Sequence, residues 1–177
     1  MKLLLIALSL FSMTLIAGEV DTKKSSFTWH GTKVTGKHFG KIFIKTAKLD
    51  LKEGKVSSGE IVMDMKSFTV TDLEGEWATK FLGHMKSGDF FEVEKYPTAK
   101  LVIKSDDGKN LSGDLTIKSK TNPVKIAYTK KGKTYSGKLK FDRTKFDMIY
   151  GSGNFFKNLG DKVIHDEVVL DFAVVLK

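Results

Sequence analysis

Apolar and polar residues alternate with period two through most of this chain, the pattern of strands with one buried face. Phe27 and Trp29 alternate with Ser26, Thr28 and His30. Ile42 and Ile44 alternate with Phe43 and Lys45 in a run that continues to about Asp50. The pattern returns at Ile61, Met63 and Met65, then at Ala99, Leu101 and Ile103, and again at Leu111, Leu115 and Ile117. Val124, Ile126 and Tyr128 form a sixth run, Tyr135, Leu139 and Phe141 a seventh, and Val168, Leu170, Phe172 and Val174 an eighth. Turn chemistry at Glu53 and Gly54, Asp107 and Gly108, and Lys131 and Gly132 separates neighbours, so consecutive strands should pair antiparallel.

Antiparallel strands with one apolar face must roll up or stack to bury it. The expectation is all-β: an eight-stranded antiparallel, lipocalin-like barrel, with room inside for side chains or one small ligand. A two-sheet sandwich is the structural alternative. One connection breaks the meander. Between Met65 and Thr98, Thr71 and Glu74 have the spacing of a helix-capping box. Trp77, Phe81 and Met85 follow at four-residue intervals, with His84 beside them and Gly88 placed to stop a helix. Residues 81–97, FLGHMKSGDFFEVEKYP, are richer in aromatic and aliphatic anchors than a surface helix needs, which predicts a lid over something hollow. A second aromatic stretch runs from Phe141 through Phe146, Met148 and Tyr150 to Phe155 and Phe156.

The hollow is expected to be an apolar tunnel. The residues expected to line it or its lid are Phe39, Phe43, Met63, Met65, Trp77, Phe81, Met85, Phe90, Phe91, Phe146 and Met148. Methionine suits such a wall because its flexible, polarisable side chain accepts varied apolar partners. His84, Asp89 and Arg143 are the candidate polar anchors. Each has a structural reading beside the functional one: His84 held by the Asp89 carboxylate at a helix end, and Arg143 in an ion pair with Asp142, Asp64 or Asp89.

Composition narrows the function classes. Residues 1–17 read as a signal peptide, with Lys2 ahead of an apolar run and the small Ala17 at the cleavage position, against a retained membrane anchor as the rival reading. This predicts a periplasmic or secreted protein and leaves 18–177 as one domain. There is no Cys, so no disulfide framework holds the chain, and the core must do so alone. The net charge of +9 is almost entirely lysine, with Arg143 as the single arginine, which argues against a nucleic-acid reader. His30, His38, His84 and His165 have no metal-ligand spacing, so neither a metal site, another cofactor nor an enzyme is expected. Contact with an anionic membrane surface and pairing of barrels into a homodimer are both compatible with the sequence.

Five segments together resemble the YceI-like family. They are Met63-Asp64-Met65-Lys66-Ser67, His84-Met85-Lys86-Ser87 with Asp89-Phe90-Phe91, Lys95-Tyr96-Pro97, Gly113-Asp114-Leu115-Thr116 and Phe141-Asp142-Arg143-Thr144. They occur in family order across residues 19–177. Two positions depart from the family pattern: Phe81-Leu82 replaces an Arg-Asp pair, and Phe146-Asp147 stands where Phe-Gly is common. The resemblance implies an exported carrier whose barrel tunnel holds a polyisoprenoid, a fatty-acid-like chain or another long apolar lipid. The rival function is a surface-interaction or stress-related module that uses the lysine-rich exterior and has no dedicated ligand.

Overall fold

The computed structural model describes residues 16–177, so the expected signal peptide falls outside the described residues except at its end, where Ile16 and Ala17 pair with Leu51 and Asp50. The chain forms ten strands: β1 (Ile16–Gly18), β2 (Ser26–Lys33), β3 (Gly36–Lys41), β4 (Phe43–Lys52), β5 (Lys55–Asp64), β6 (Thr98–Asp106), β7 (Asn110–Ile117), β8 (Lys120–Lys131), β9 (Thr134–Asp142) and β10 (Glu167–Val175). Among the described residues one α-helix, α1 (Gly75–Lys86), lies between β5 and β6. All ladders are antiparallel, and the strands form one sheet in the order β1-β4-β5-β6-β7-β8-β9-β10-β2-β3. The sheet curls into a half-barrel around the apolar side chains of its inner face.

The expected count of eight strands is therefore corrected to ten, and no ladder joins β1 to β3 to close a ring. β3, GKHFGK, carries no apolar alternation, and β1 is a three-residue bridge. Residues 36–52 pass from one edge of the sheet to the other through a break at Ile42. β3 pairs with β2 before the break, β4 pairs with β5 after it, and the Ile42 amide still donates to the Phe27 carbonyl at 3.2 Å. The outer edge of β3 is covered by chain, because the Thr69 and Thr71 amides donate to the Lys41 and Phe39 carbonyls, both at 2.9 Å.

Local chemistry sets the turns. Glu53 and Gly54, at φ +52° and +73°, close the β4–β5 hairpin between Lys52 and Lys55. The β7–β8 hairpin uses Lys118 and Ser119, both at positive φ, a turn that the sequence does not advertise. Between β8 and β9 the two loop residues are Gly132 and Lys133, one position later than expected. At the β6–β7 turn the Asp107 carboxylate accepts from the Lys109 and Asn110 amides, which lowers its pKa to about 2. Pro123 sits in the half of β8 that pairs with β7 alone, so its missing N–H costs no ladder bond.

The lid helix departs from its expected start. Thr71 Oγ1 donates to the Phe39 carbonyl, and the residue before the helix, Glu74, makes no side-chain cap, so the capping box does not form. The stop comes at Ser87, one residue before Gly88.

Gly40 shows how closely the lid approach meets the sheet. A Cβ at this position would stand 1.9 Å from the Thr69 carbonyl oxygen and 2.9 Å from Trp29 Nε1, the two atoms that already share a 2.8 Å hydrogen bond. Gly40→Ala is expected to destabilise the protein by about 3 kcal/mol, as overpacking against backbone does. Urea denaturation at neutral pH checks this.

Candidate functional site

A cavity of roughly 370 Å³ opens between the inner face of the sheet, α1 with the segment after it, and residues 148–165. The wall is mainly hydrocarbon, aromatic ring and thioether. Trp29, Met63, Leu115, Ile117, Leu139 and Leu170 come from strands, Ile42 from the break between β3 and β4, Phe81, Met85, Phe90 and Phe91 from the lid, and Met148, Tyr150 and Ile164 from the opposite rim. A second cavity of about 70 Å³ lies deeper, between Phe27, Leu49, Val56, Ile103, Ile126 and Val174. The two share Met63, Ala99, Leu115, Leu139 and Leu170 as lining residues, so they adjoin.

The lid is seated by rings. Trp29, 5% exposed, lies stacked between Phe68 at 4.6 Å and Phe81 at 5.9 Å, and His38 tilts against Phe81 at 4.8 Å. After the helix, the Phe91 and Val93 amides donate to the Met85 and Lys86 carbonyls, which turns Phe90 and Phe91 inward. His84 meets Tyr150 and Phe90 edge-on at 4.6 and 5.1 Å, so lid and opposite rim touch across the cavity mouth.

Seven of the expected wall residues do face the cavity: Met63, Met65, Phe81, Met85, Phe90, Phe91 and Met148. Four do not. Phe43 is 51% exposed because Ile42 and Ile44, its neighbours on the pleat, take the inner side. Phe39 faces away for the same reason: adjacent His38 lines the cavity, and Phe39 tilts against His30 on the other face. Trp77 is 74% exposed, one turn too early on α1 to reach the mouth. Phe146 is buried against Phe141, edge-on at 5.6 Å, inside the core and not on the wall. Trp29 and Phe68 are wall residues that the sequence reading passed over. The alternation that marks Trp29 as inward was the signal for it.

Arg143 is 2% exposed, and its partner is none of the three expected carboxylates. It pairs with Asp166 at 3.2 Å, while Nε and Nη2 donate to the His165 and Ile164 carbonyls at 3.1 and 3.0 Å and Nη1 donates to the Met148 carbonyl. Asp142 instead caps the turn that follows it, accepting from Thr144. Burial pulls the Arg143 pKa below its ordinary value, opposed by the nearby Asp166 and Asp142 charges. Asp166 also accepts from Ser152 Oγ and Asn154 Nδ2 at 2.8 and 2.7 Å, so one ion pair ties the glycine-rich bend to the end of β9. These bonds hold the rim in place, and the Arg143 side chain also lines the cavity.

The other polar groups on the wall are Thr32, Lys33, His38, His84 and His165, and no carboxylate lines the cavity. Each imidazole has one nitrogen engaged from behind: His38 by Asp72 at 2.8 Å, His84 by Asp89 at 3.0 Å and His165 by Thr32 at 2.8 Å. Burial works to raise the Asp72 pKa, but the Phe39 amide and His38 outweigh it and the net shift is downward. Among the described residues, no group of three or more His, Asp or Glu side chains is arranged to hold a metal ion.

The YceI-like domain family matches residues 19–176. Among solved structures the chain is similar to BcnA of Burkholderia cenocepacia, with a TM-score of 0.66 and 22% identity over 90% of this chain and 100% of that one. It is also similar to a polyisoprenoid binding domain from Saccharophagus degradans implicated in plant cell wall breakdown, with a TM-score of 0.61 and 14% identity over 93% and 99% of the two chains. A mutant CJ YCEI protein made for nanotechnology applications gives a TM-score of 0.53 and 16% identity over 75% and 80%. Likenesses at these identities show the fold. No curated protein matches the chain.

Two outcomes are expected from this site. Replacing Arg143 with Met should cost about 3–5 kcal/mol in the ligand-free protein, because Asp166 is left buried without its partner, and Arg143→Lys should cost less. Thermal melting of the ligand-free variants measures both. For Asp72, a carboxylate whose folded pKa is depressed stabilises the fold above the ordinary value and stops doing so as pH falls through the folded one. Asp72→Asn should therefore be the less stable protein at pH 7 and should converge with the parent below about pH 3.9, as read from melting across a pH series.

Proposed function

Because this chain belongs to the YceI-like family, we propose that it is an exported binding protein that holds one long apolar lipid, an isoprenoid or a fatty-acid-like chain, in its apolar cavity. The single observation that carries the reading is the hollow itself. Ligand sites are typically concave, largely apolar and 300–1,000 Å³ in volume, with a few polar groups at one end, and this cavity has that size and character. The Saccharophagus relative, described as polyisoprenoid binding, supports the same ligand class.

In this reading the chain of the lipid lies among Met63, Leu115, Leu139 and Leu170 and extends toward the deeper cavity. Desolvation of the hydrocarbon supplies the affinity, at roughly 25 cal/mol per Å² of apolar surface removed from water. Phe81, Met85, Phe90 and Phe91 close over the chain. A head group that accepts hydrogen bonds would meet His38, His84 or His165 at the mouth, each held in orientation by the partner behind it. Arg143 acts at one remove, keeping the rim in place. Export by the leader, and residues 18–177 as a single binding domain, complete the proposal.

Solvent extraction of the purified protein followed by mass spectrometry tests it. The expected result is one lipid per protein. Phe81→Asp, which places a charge in the apolar wall, should lower that ratio several-fold while leaving the fold intact by circular dichroism. An extract without stoichiometric lipid from the parent protein would favour a module that works through its lysine-rich exterior.

A further inference from the structure

The rim opposite the lid exposes large apolar side chains, of which only Tyr150 makes a ring contact with the lid. Phe155 is 56% exposed, Phe156 44%, Tyr150 45% and Val34 58%. They belong to two turns joined by backbone hydrogen bonds. The Phe155 and Phe156 amides donate to the Ser152 carbonyl at 3.1 and 2.9 Å, Ile164 donates to Gly151 at 2.8 Å, and Val34 donates to Val163 at 3.1 Å. Lys33 bridges to Ile164, and Lys33, Tyr150 and Ile164 all line the cavity, so the patch begins where the cavity opens.

The same two turns carry cations. Lys33, Lys37, Lys157 and Lys162 are exposed, and none has a carboxylate within ion-pairing distance among the described residues. The acids nearby are mostly committed: Asp147 pairs with Lys120 and Asp166 with Arg143, which leaves Asp161 as the exposed acid opposing them. Exposed aromatic rings ringed by unpaired lysines have the chemistry of a surface that seats on an anionic bilayer, rings at the acyl boundary and ammonium groups among the head groups. Apolar residues scattered singly would need no explanation, but these sit on two hydrogen-bonded turns that flank an opening.

We propose that the face formed by Val34, Tyr150, Phe155 and Phe156 with Lys33 and Lys157 docks on an anionic lipid bilayer and presents the cavity mouth to it. The proposal rests on the lipid-binding reading for its purpose: a long hydrocarbon chain has little solubility in water, so it must enter from, and leave to, a membrane. The bend is stiff enough to insert, because Ser152 is fully buried and both Ser152 and Asn154 are fastened to Asp166.

Co-sedimentation of the mature protein with phosphatidylglycerol-containing vesicles, and with phosphatidylcholine vesicles as the comparison, tests the docking. The parent is expected to bind the anionic vesicles and to release in high salt, with at least about tenfold weaker binding to neutral ones. Phe155→Ser with Phe156→Ser should weaken vesicle binding about tenfold without lowering the lipid content extracted from the purified protein. Lys157→Gln with Lys162→Gln should weaken binding to anionic vesicles alone. These four positions are exposed, so their variants should melt as the parent does. Equal binding of both vesicle types, or aromatic variants that bind as the parent does, would overturn the proposal. Loss of extractable lipid from the parent protein itself would instead remove the carrier reading on which it rests.

Discussion

An antiparallel sheet with one apolar face is stable only if that face leaves water, and this constraint governs the molecule. Ten strands curl around the face but leave one end uncovered, and two segments outside the ladders complete the enclosure. One is α1 with Phe90 and Phe91, anchored by the Phe68–Trp29–Phe81 stack. The other is the rim from Met148 to His165, anchored by Arg143 and Asp166. They meet at His84 and Tyr150, and again beneath, where Phe90 lies 5.8 Å from the Arg143 guanidinium. Lys118 adds a third tie: its buried ammonium donates to the Gly88 carbonyl of the lid and the Asp147 carbonyl of the rim. The Lys118 bonds lie outside the hollow, so this tie between the covers does not depend on the hollow being filled.

Polar groups near the cavity divide by whether their hydrogen-bonding capacity is spent. Arg143 has Nε and both terminal nitrogens engaged by Asp166 and three carbonyls, which makes it a keystone of the rim on the cavity wall. Each of the three imidazoles is oriented through one nitrogen, while its second nitrogen makes no hydrogen bond among the described residues. Keeping Asp72 and Asp89 behind the rings leaves the wall without a carboxylate, so an acceptor head group would meet no like charge there.

The period-two pattern made eight of the strands legible, because a half-buried strand writes its inner face into alternate positions. β3 escaped because it buries a glycine and a histidine where the pattern needs two aliphatic residues. The lid was legible from its excess of aromatic residues. Which rings point inward was not, since that depends on pleat parity and on where along the helix the contact falls: Phe43 was lost to the first and Trp77, one turn too early on α1, to the second. The partner of Arg143 was equally hidden, because Asp166 lies 23 positions downstream and reaches it only when β10 returns beside β9. The departure at Asp147 has a physical reading too. It adopts the left-handed conformation, φ +58° and ψ +29°, that a glycine would take without strain and that aspartate tolerates better than most residues.

All four methionines among the described residues, Met63, Met65, Met85 and Met148, stand on the wall of the larger cavity, and they offer the most direct test of whether a lipid is held there. Carbon-13 methyl spectra of methionine-labelled, delipidated protein titrated with a long-chain isoprenoid alcohol should show all four signals moving together and saturating at one ligand per protein. Four methyl signals that stay in place while the alcohol remains in solution or in micelles would contradict the account.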